Sequence, residues 1–431
     1  MKKAFIVSGC LISSVAFAAP VSQPFGSSFT LGSSANPASL MTSLGNPAAS
    51  YFMVNSEEGD NFRTGIVGPI SFGYEVGEVD SLEDNIDDLD ALLDRQYNTE
   101  AEAQSALSEA NGIIAQLGED ANLKLMLGAP VPVFPVIYKT DNGGAFLFDL
   151  SVSAVAKGRF IDDSVTVNEQ TLELETDSSF YAKAGTDLTF GIGYSTDVYS
   201  SDAGTLVLGT KLSAHSVTLG KALVVLDSSN EDTDDAFSDA FSDQQETSTD
   251  FSLDLGAIWA SEHYQLGFQA TNLNEPSFAY AELPSSCASV TPVNQVSCAA
   301  AIKFDQSGGL ELKEEFTMER QFTVEASTFV FDRQLALAAS YELNEVEDLV
   351  GDKYQWATVS TSYYSNSSFI PAVRLGYKKN MAGSELSYAM FGATLFKRLN
   401  LDLAYGLEKI EIDGDEAPRS LYFSMGIESA F

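Results

Sequence analysis

Apolar and polar residues alternate along most of this chain from residue 131 to its end. In the last eleven residues, Leu421, Phe423, Met425 and Ile427 occupy alternate positions, and the series ends on the aromatic Phe431. A period of two is typical of a β-strand whose two faces meet different environments. The pattern therefore predicts an extended sheet with one apolar and one polar face.

Fourteen segments fit this description. They are residues 64–77, 131–140, 145–157, 180–199, 204–226, 251–260, 263–273, 319–331, 334–344, 354–364, 369–379, 385–397, 399–411 and 420–431. A multi-domain soluble protein, or a β-sandwich with the same apolar residues in its core, is the alternative that the pattern alone leaves open.

The first eighteen residues have the form of a secretory leader. Lys2 and Lys3 precede an apolar stretch that ends in Ala16-Phe17-Ala18, a small-x-small cleavage site. We therefore predict a signal peptide over residues 1–18 and an exported chain that begins at Ala19. Cys10 is interpreted as an unmodified leader residue.

The connections between the predicted strands alternate in length. Six of them are short, at 141–144, 200–203, 261–262, 332–333, 365–368 and 398, whereas 78–130, 158–179, 227–250, 274–318 and 345–353 are long and mostly acidic. Outer-membrane barrels have short periplasmic turns and longer outer loops. Because a bilayer leaves no partner for an open sheet edge, we predict an all-β fold, a closed antiparallel transmembrane β-barrel of about 14 strands, over residues 63–431, with 227–250 and 274–318 as long extracellular loops.

Charged residues that share the inward face of these strands are expected in the lumen, since a charge in mid-membrane is costly. They are Asp149, Asp187, Asp254, Glu325, Glu342, Arg374, Asp402 and Glu428. These charged residues fit two roles: they either make contacts between the barrel wall and the plug, or they line a path for a substrate. Phe423, Met425, Ile427 and Phe431 in the last strand resemble the C-terminal signal by which outer-membrane barrels are recognised for insertion.

Residues 78–118 have a helical rather than a strand period. Leu82, Ile86, Leu89 and Leu93 have helical spacing, and Thr99 with Glu102 forms a capping box for a second helix that Gly118 is expected to end. We predict a helical hairpin inserted after the first strand, acting as a lid, plug or partner-binding arm, or simply decorating a loop.

Residues 19–62 are rich in Ser, Gly, Asn and Pro and contain two copies of Asn-Pro-Ala. The copies are Asn36, Pro37, Ala38 and Asn46, Pro47, Ala48. An Asn-Pro-Ala element shortly before the first strand resembles the N-terminal hatch of FadL-type long-chain fatty acid transporter barrels. Within that superfamily, the rest of the chain, including its insertion after the first strand, is most similar to the TraF-like conjugal transfer family. The resemblance implies a hatch or plug over residues 19–62.

The formal net charge of −38, or −40 after removal of the two leader lysines, excludes nucleic acid as a partner. The acidic loops favour solvation and repulsion between molecules, and bridging to lipopolysaccharide through divalent cations is a second interpretation. The expected partners are outer-membrane lipid, the barrel assembly machinery during insertion and a small, hydrophobic molecule.

Cys287 and Cys298 are the cysteines left in the exported chain, and we predict that they form a disulfide. Neither a zinc motif nor a cofactor motif is present, so no metal or cofactor is predicted. His215 and Ser216 are adjacent, but neighbours on a strand point to opposite faces, and no enzymatic site is predicted.

Two functions follow as expectations. The first is a transport barrel, similar to FadL-type carriers, that passes a small hydrophobic molecule across the outer membrane. The second, implied by the TraF-like resemblance, is an outer-membrane interaction or structural protein of conjugal transfer or cell-surface contact.

Overall fold

The computed structural model describes residues 26–32, 34–54, 61–78, 82–225, 244–290, 294–331, 333–364, 367, 369–412 and 415–429. The predicted leader and Phe431 lie outside these described residues.

Within this part of the chain, fourteen strands form one sheet, if a strand interrupted at 131–135 is counted once. They are β1 (Phe62–Val76), β2 (Asn122–Pro130 with Val136–Lys139), β3 (Ala145–Ile161), β4 (Ser179–Ser201), β5 (Gly204–Val225), β6 (Gln245–Ala260), β7 (Tyr264–Thr271), β8 (Gln321–Val330), β9 (Leu335–Glu342), β10 (Trp356–Tyr363), β11 (Ala372–Asn380), β12 (Ser387–Leu395), β13 (Leu399–Gly406) and β14 (Ser420–Glu428).

The sheet closes on itself. Each strand pairs antiparallel with the next, and β1 pairs with β14 on one side and with both parts of β2 on the other. The register places Phe72 opposite Phe423 and Gly65 opposite Glu428. The predicted closed antiparallel barrel of fourteen strands is therefore confirmed.

Large apolar side chains cover the outside of the cylinder. Leu188, Leu212, Leu266, Leu337 and Val359 are among those exposed, and their strand neighbours face inward. A closed barrel with an outer apolar belt is the form in which a sheet crosses a bilayer. Among the described residues, no helix is long and apolar enough to cross a membrane.

The second strand differs from its prediction. It begins at Asn122 rather than at 131, and it is interrupted at residues 131–135, which contain Pro132 and Pro135. Proline has no N–H to donate to a ladder, which accounts for the interruption. The Pro135 carbonyl still accepts a hydrogen bond from the Gly65 N–H of β1. The outer connection predicted over 78–130 is therefore shorter, because its end belongs to the wall.

The predicted helical hairpin is present as α1 (Leu82–Leu93) and α2 (Glu100–Asp120). The Thr99 hydroxyl accepts a hydrogen bond from the Glu102 N–H at 3.3 Å, as the capping box predicts. The prediction that Gly118 ends the second helix is wrong. Gly118 lies inside α2, where a Cβ atom would be 2.6 Å from Asp162, so its small size serves close packing.

Long strands carry the outer loops beyond the membrane. Strands β4 and β5 have 23 and 22 residues, about twice what a tilted transmembrane strand needs. The loop 274–318 contains a further helix, α3 (Gln295–Ser307), which packs Phe304 against Tyr181 and Leu223 of these strands. We call this end of the barrel the long-loop end and the other the short-turn end.

Candidate functional site in the barrel lumen

The lumen is filled from both ends. At the short-turn end it holds residues 26–32 and 34–54, which we call the hatch, with the short helix Ser28–Leu31 and the 3₁₀ turns Leu40–Ser43 and Pro47–Phe52. Leu40, Met41 and Ala48 of the hatch pack against Leu147 and Ile258 of the wall. Most described hatch side chains are buried.

Both Asn-Pro-Ala copies make the same local turn. The Asn36 side-chain oxygen accepts from the Ala38 N–H at 3.0 Å, and the Asn46 oxygen accepts from the Ala48 N–H at 3.1 Å. Asparagine caps the turn, and proline at the next position loses no hydrogen bond because its N–H would be unpaired there. This geometry is a physical reason for the repeated motif.

Glu325 of β8 joins the two copies. One carboxylate oxygen accepts from the Ala35 N–H and the other from the Asn46 side-chain amide, each at 3.0 Å. Gln265 on the neighbouring strand donates to the Ala35 carbonyl at 3.1 Å. This wall carboxylate therefore fixes the spacing between the two turns of the hatch.

A second wall carboxylate holds the start of the hatch. Asp402 accepts from the Thr30 hydroxyl at 2.8 Å and from Arg374 at 3.0 Å at both carboxylate oxygens. Arg374 and Asp402 are completely buried. Because a buried charge is costly unless it is paired, these residues form one unit to which the hatch is attached.

Glycines in the wall give the hatch room to approach. A Cβ at Gly209 would be 2.4 Å from the Ala48 nitrogen, and a Cβ at Gly256 would be 2.1 Å from the Asn46 side-chain oxygen. Gly209 and Gly256 are paired across β5 and β6. The second Asn-Pro-Ala turn thus lies directly on the wall backbone.

Arg63, at the start of β1, contacts the hatch from the short-turn end. Its guanidinium donates to the carbonyls of Pro37, Ala38 and Met53 and lies 3.6 Å from Glu428. Glu428 of β14 therefore lies beside Arg63 of β1, at the junction of the first and last strands.

The remaining predicted lumen residues contact the wall or its outer loops. Asp149 pairs with Lys211 at 3.1 Å, Asp254 accepts from the Asn272 N–H at 2.8 Å, and Glu342 accepts from the Trp356 N–H at 2.6 Å. The structure thus separates the eight charged residues into those that hold the hatch and those that connect strands.

Asp187, His215 and Ser252 form a chain of contacts across three strands. His215 Nδ1 lies 2.9 Å from an Asp187 oxygen, and His215 Nε2 lies 2.9 Å from the Ser252 hydroxyl. The order is that of a nucleophile, base and orienting acid. However, the three residues are buried, with Ser252 only 2% exposed. In this state they are a polar bridge inside the wall.

The long-loop end of the lumen is filled by folded loops. Residues 343–355, which we call the inner loop, bury Leu349 and Val350 inside the barrel, and the loop 274–318 adds Phe278 and Phe316. These side chains join an apolar cluster that reaches Phe29 of the hatch. Hatch and loops therefore meet through apolar contacts.

Four lysines hold the inner loop and its neighbour. Lys124, Lys157, Lys183 and Lys221 are directly opposite one another on β2, β3, β4 and β5, and we call them the lysine row. Like charges in opposite positions are unfavourable unless they are neutralised.

Loop carboxylates supply that neutralisation. Asp348 and Asp352 of the inner loop pair with Lys124, the second at 3.0 Å, and Asp352 also pairs with Lys157. Burial by itself would raise the pKa of Asp352, but Lys124 and Lys157 outweigh it and lower the pKa to about 2. Glu314 of the other loop pairs with Lys183 and, at 3.5 Å, with Lys221.

The lysine row was absent from the sequence-based prediction. Each lysine lies on the inward parity of its strand, so the alternation already contained that signal for Lys157, Lys183 and Lys221. Their alignment requires the register, and for Lys124 it requires a strand that the prolines concealed.

The last strand and the cysteines complete the predicted set. Phe423, Met425 and Ile427 lie exposed on the outer face, and their role as an insertion signal stays a prediction. The sulfur atoms of Cys287 and Cys298 are bonded within the loop 274–318. In the described part of the chain, no group of three or more His, Cys, Asp or Glu residues is arranged to hold a metal ion.

Comparison with known proteins gives a family. The family model described as "F plasmid transfer operon, TraF, protein" matches residues 43–342. No curated protein matches the chain.

Several solved structures are similar to this chain at low sequence identity. The toluene transporter TodX of P. putida is 12% identical with a TM-score of 0.42, covering 90% of this chain and 92% of its own. The Ralstonia pickettii toluene transporter TbuX is 12% identical with a TM-score of 0.42, covering 94% and 98%. A Pseudomonas aeruginosa FadL homologue is 11% identical with a TM-score of 0.40, covering 97% and 99%. The strand pairing itself establishes the closed barrel.

Proposed function

The chain belongs to the family described as "F plasmid transfer operon, TraF, protein", and within that family we propose that it passes a small hydrophobic molecule across the outer membrane. The proposal includes export by the signal peptide at 1–18, a plug domain at 19–62 that contains the hatch, and a barrel at 63–431 in a Gram-negative outer membrane. It also includes insertion by the barrel assembly machinery and contact with lipopolysaccharide at the acidic outer loops.

The observation that carries this proposal is the apolar cluster inside the lumen. Met126, Trp356, Tyr388 and Met390 on the inner wall surround the buried loop side chains, and the Phe29 ring of the hatch lies 5.6 Å from that of Tyr422. A barrel that conducted ions or sugars would have a polar, water-filled interior. An apolar path between the outer loops and the hatch suits an apolar passenger.

Passage requires the hatch and the inner loop to move. The hydrogen bonds that join the hatch to Glu325, Gln265, Asp402 and Arg63 each involve a side chain. Such contacts can exchange without opening the wall, whose strands are held by backbone ladders. The described state is closed, and transport would proceed by displacing these two plugs.

The test compares a strain lacking this protein with the same strain carrying it on a plasmid. Uptake of radiolabelled oleate and naphthalene is measured beside uptake of labelled sucrose, and mating frequency is measured in the same strains. We expect the deletion to reduce hydrophobic uptake and to leave sucrose entry unchanged. Equal hydrophobic uptake in both strains would refute the proposal.

A second candidate, a role in conjugal transfer or cell-surface contact, is favoured by the outer helical hairpin. Helices α1 and α2 pack through Leu89, Ala106 and Ile114 onto Phe160 and the loop 162–178, and their other faces are exposed. Normal uptake with reduced mating would support this role. Deletion of residues 82–120 would then reproduce the mating defect while the barrel still folds.

A further inference from the structure

A cavity of about 330 Å³ lies at the long-loop end, between strands β3 and β4 and the two folded loops. Its walls include Lys157, Lys183 and Arg159 from the strands, with Glu314 and Asp352 from the loops. This volume is at the lower end of the range for small-molecule sites, about 300 to 1,000 Å³. Lys157 and Lys183 are already paired with loop carboxylates, so the role of Arg159 is the one that these ion pairs leave unexplained.

Arg159 has spare hydrogen-bonding capacity. Its guanidinium donates to the Gly309 carbonyl at 2.6 Å and lies 5.4 Å from the centre of the Tyr181 ring. Within the described chain, no carboxylate lies within ion-pair distance of it, whereas both lysines of the cavity have one. A guanidinium carries five N–H donors, so most of them remain for a ligand.

Tyr181 provides a second, independent indication. Its side chain lines the cavity and is 2% exposed, yet its hydroxyl has no hydrogen-bond partner among the described residues. A buried polar group left unpaired is unfavourable by about 1 to 3 kcal/mol. A ligand oxygen in the cavity would remove this cost and meet the guanidinium above the same ring.

We propose that this cavity binds a small organic monoanion, held by Arg159 and the Tyr181 hydroxyl at its charged end. A carboxylate suits a guanidinium because two parallel N–H···O bonds can form. Leu310 and Val350 supply apolar surface for the rest of the ligand. The neighbouring carboxylates of Glu311, Glu314 and Asp352 disfavour a doubly charged ion such as phosphate.

Binding would also act on the loops that close the lumen. Asp352 and Glu314, which border the cavity, are the groups that fasten these loops to the lysine row. An anion that competes for Lys157 and Lys183 would loosen the attachment of the inner loop and of the loop 274–318. The binding site itself does not depend on transport through the lumen, so the two proposals can fail separately.

The experiment is isothermal titration of the purified full-length protein in detergent, with benzoate as the probe. Benzamide serves as the neutral isostere, and inorganic phosphate, titrated at a pH above its second pKa, serves as the doubly charged oxyanion. Variants Arg159→Gln and Tyr181→Phe are compared with Arg320→Gln, whose arginine pairs with Glu275 on the outer surface. The heat-dependent gel mobility of the barrel verifies that each variant is folded.

We expect benzoate to bind and benzamide and phosphate to bind at least about tenfold more weakly, as a charge-assisted bidentate contact implies. Arg159→Gln should weaken benzoate about tenfold or more and Tyr181→Phe by a smaller factor, while Arg320→Gln binds like the wild type. Absent benzoate binding, equal binding of benzamide or phosphate, or unchanged affinity in folded Arg159→Gln would each overturn the proposal.

Discussion

Replacing Glu325 with alanine removes the carboxylate that joins the two turns of the hatch. The Ala35 N–H and one N–H of the Asn46 amide, each now donated to a Glu325 oxygen at 3.0 Å, would lose their acceptor in a buried site, while the Asn46 amide keeps its bond to the Phe268 carbonyl at 3.3 Å. Leaving a buried donor unpaired costs about 1 to 3 kcal/mol, so two of them destabilise hatch docking by about 2 to 6 kcal/mol. Since 1.4 kcal/mol is a factor of ten, the opening equilibrium should increase at least about 30-fold.

Hydrogen exchange of the Ala35 amide measures this equilibrium in detergent. Glu325→Gln should give a smaller increase, because a glutamine retains one acceptor but presents an N–H₂ group to the other donor. Glu342→Ala is the matched control, since this glutamate accepts from Trp356 at the long-loop end. An Ala35 exchange rate within threefold of wild type in Glu325→Ala, or an equal increase in Glu342→Ala, would refute the reasoning.

Three further predictions concern the loops, the hatch and the buried serine. The lowered pKa of Asp352, about 2 against about 3.9 in an unfolded chain, means that its pairing stabilises the docked inner loop fully above pH 4. This contribution is lost as the pH falls from about 4 to about 2. Fluorescence of Trp356, which follows the inner loop, should report the transition. Asp352→Asn should abolish the transition. Gly209→Ala should displace the hatch, because the new Cβ would lie 2.4 Å from the Ala48 nitrogen. Protease protection of the hatch should therefore fall, while Gly112→Ala, with open space around it, leaves it unchanged. Ser252 should stay unlabelled by a fluorophosphonate probe because it is buried, and labelling that disappears in Ser252→Ala would instead identify an enzyme.

The period of two predicts side-chain orientation best where one face of a strand meets lipid. The positions of Phe423, Met425 and Ile427 follow from the period of two alone, since a single residue of slippage would turn apolar side chains inward. It failed at β2, where Pro132 and Pro135 interrupt the ladder. There the wall continues through residues that by themselves look like a loop.

The candidate site was predicted only in part, for a related reason. The alternation assigns Glu325 and Asp402 to the lumen, but their partners Ala35 and Thr30 lie about 300 residues or more away along the chain. Each charged residue either holds the hatch or connects strands. The groups that lie opposite it in the folded barrel decide between these roles. His215 likewise meets Ser252 rather than its neighbour Ser216, because a strand presents adjacent side chains to opposite faces.

The sequence by itself determined the barrel, its number of strands, the length asymmetry of its loops and the negative sign of its net charge, because these depend on local periodicity and composition. Tertiary structure alone decided that the hatch and the inner loop pack inside the lumen, that four lysines align across β2 to β5 and that Arg159 and Tyr181 face one cavity. The register of a closed sheet brings distant residues together, and it is fixed by the pairing of all strands at once rather than by any one of them.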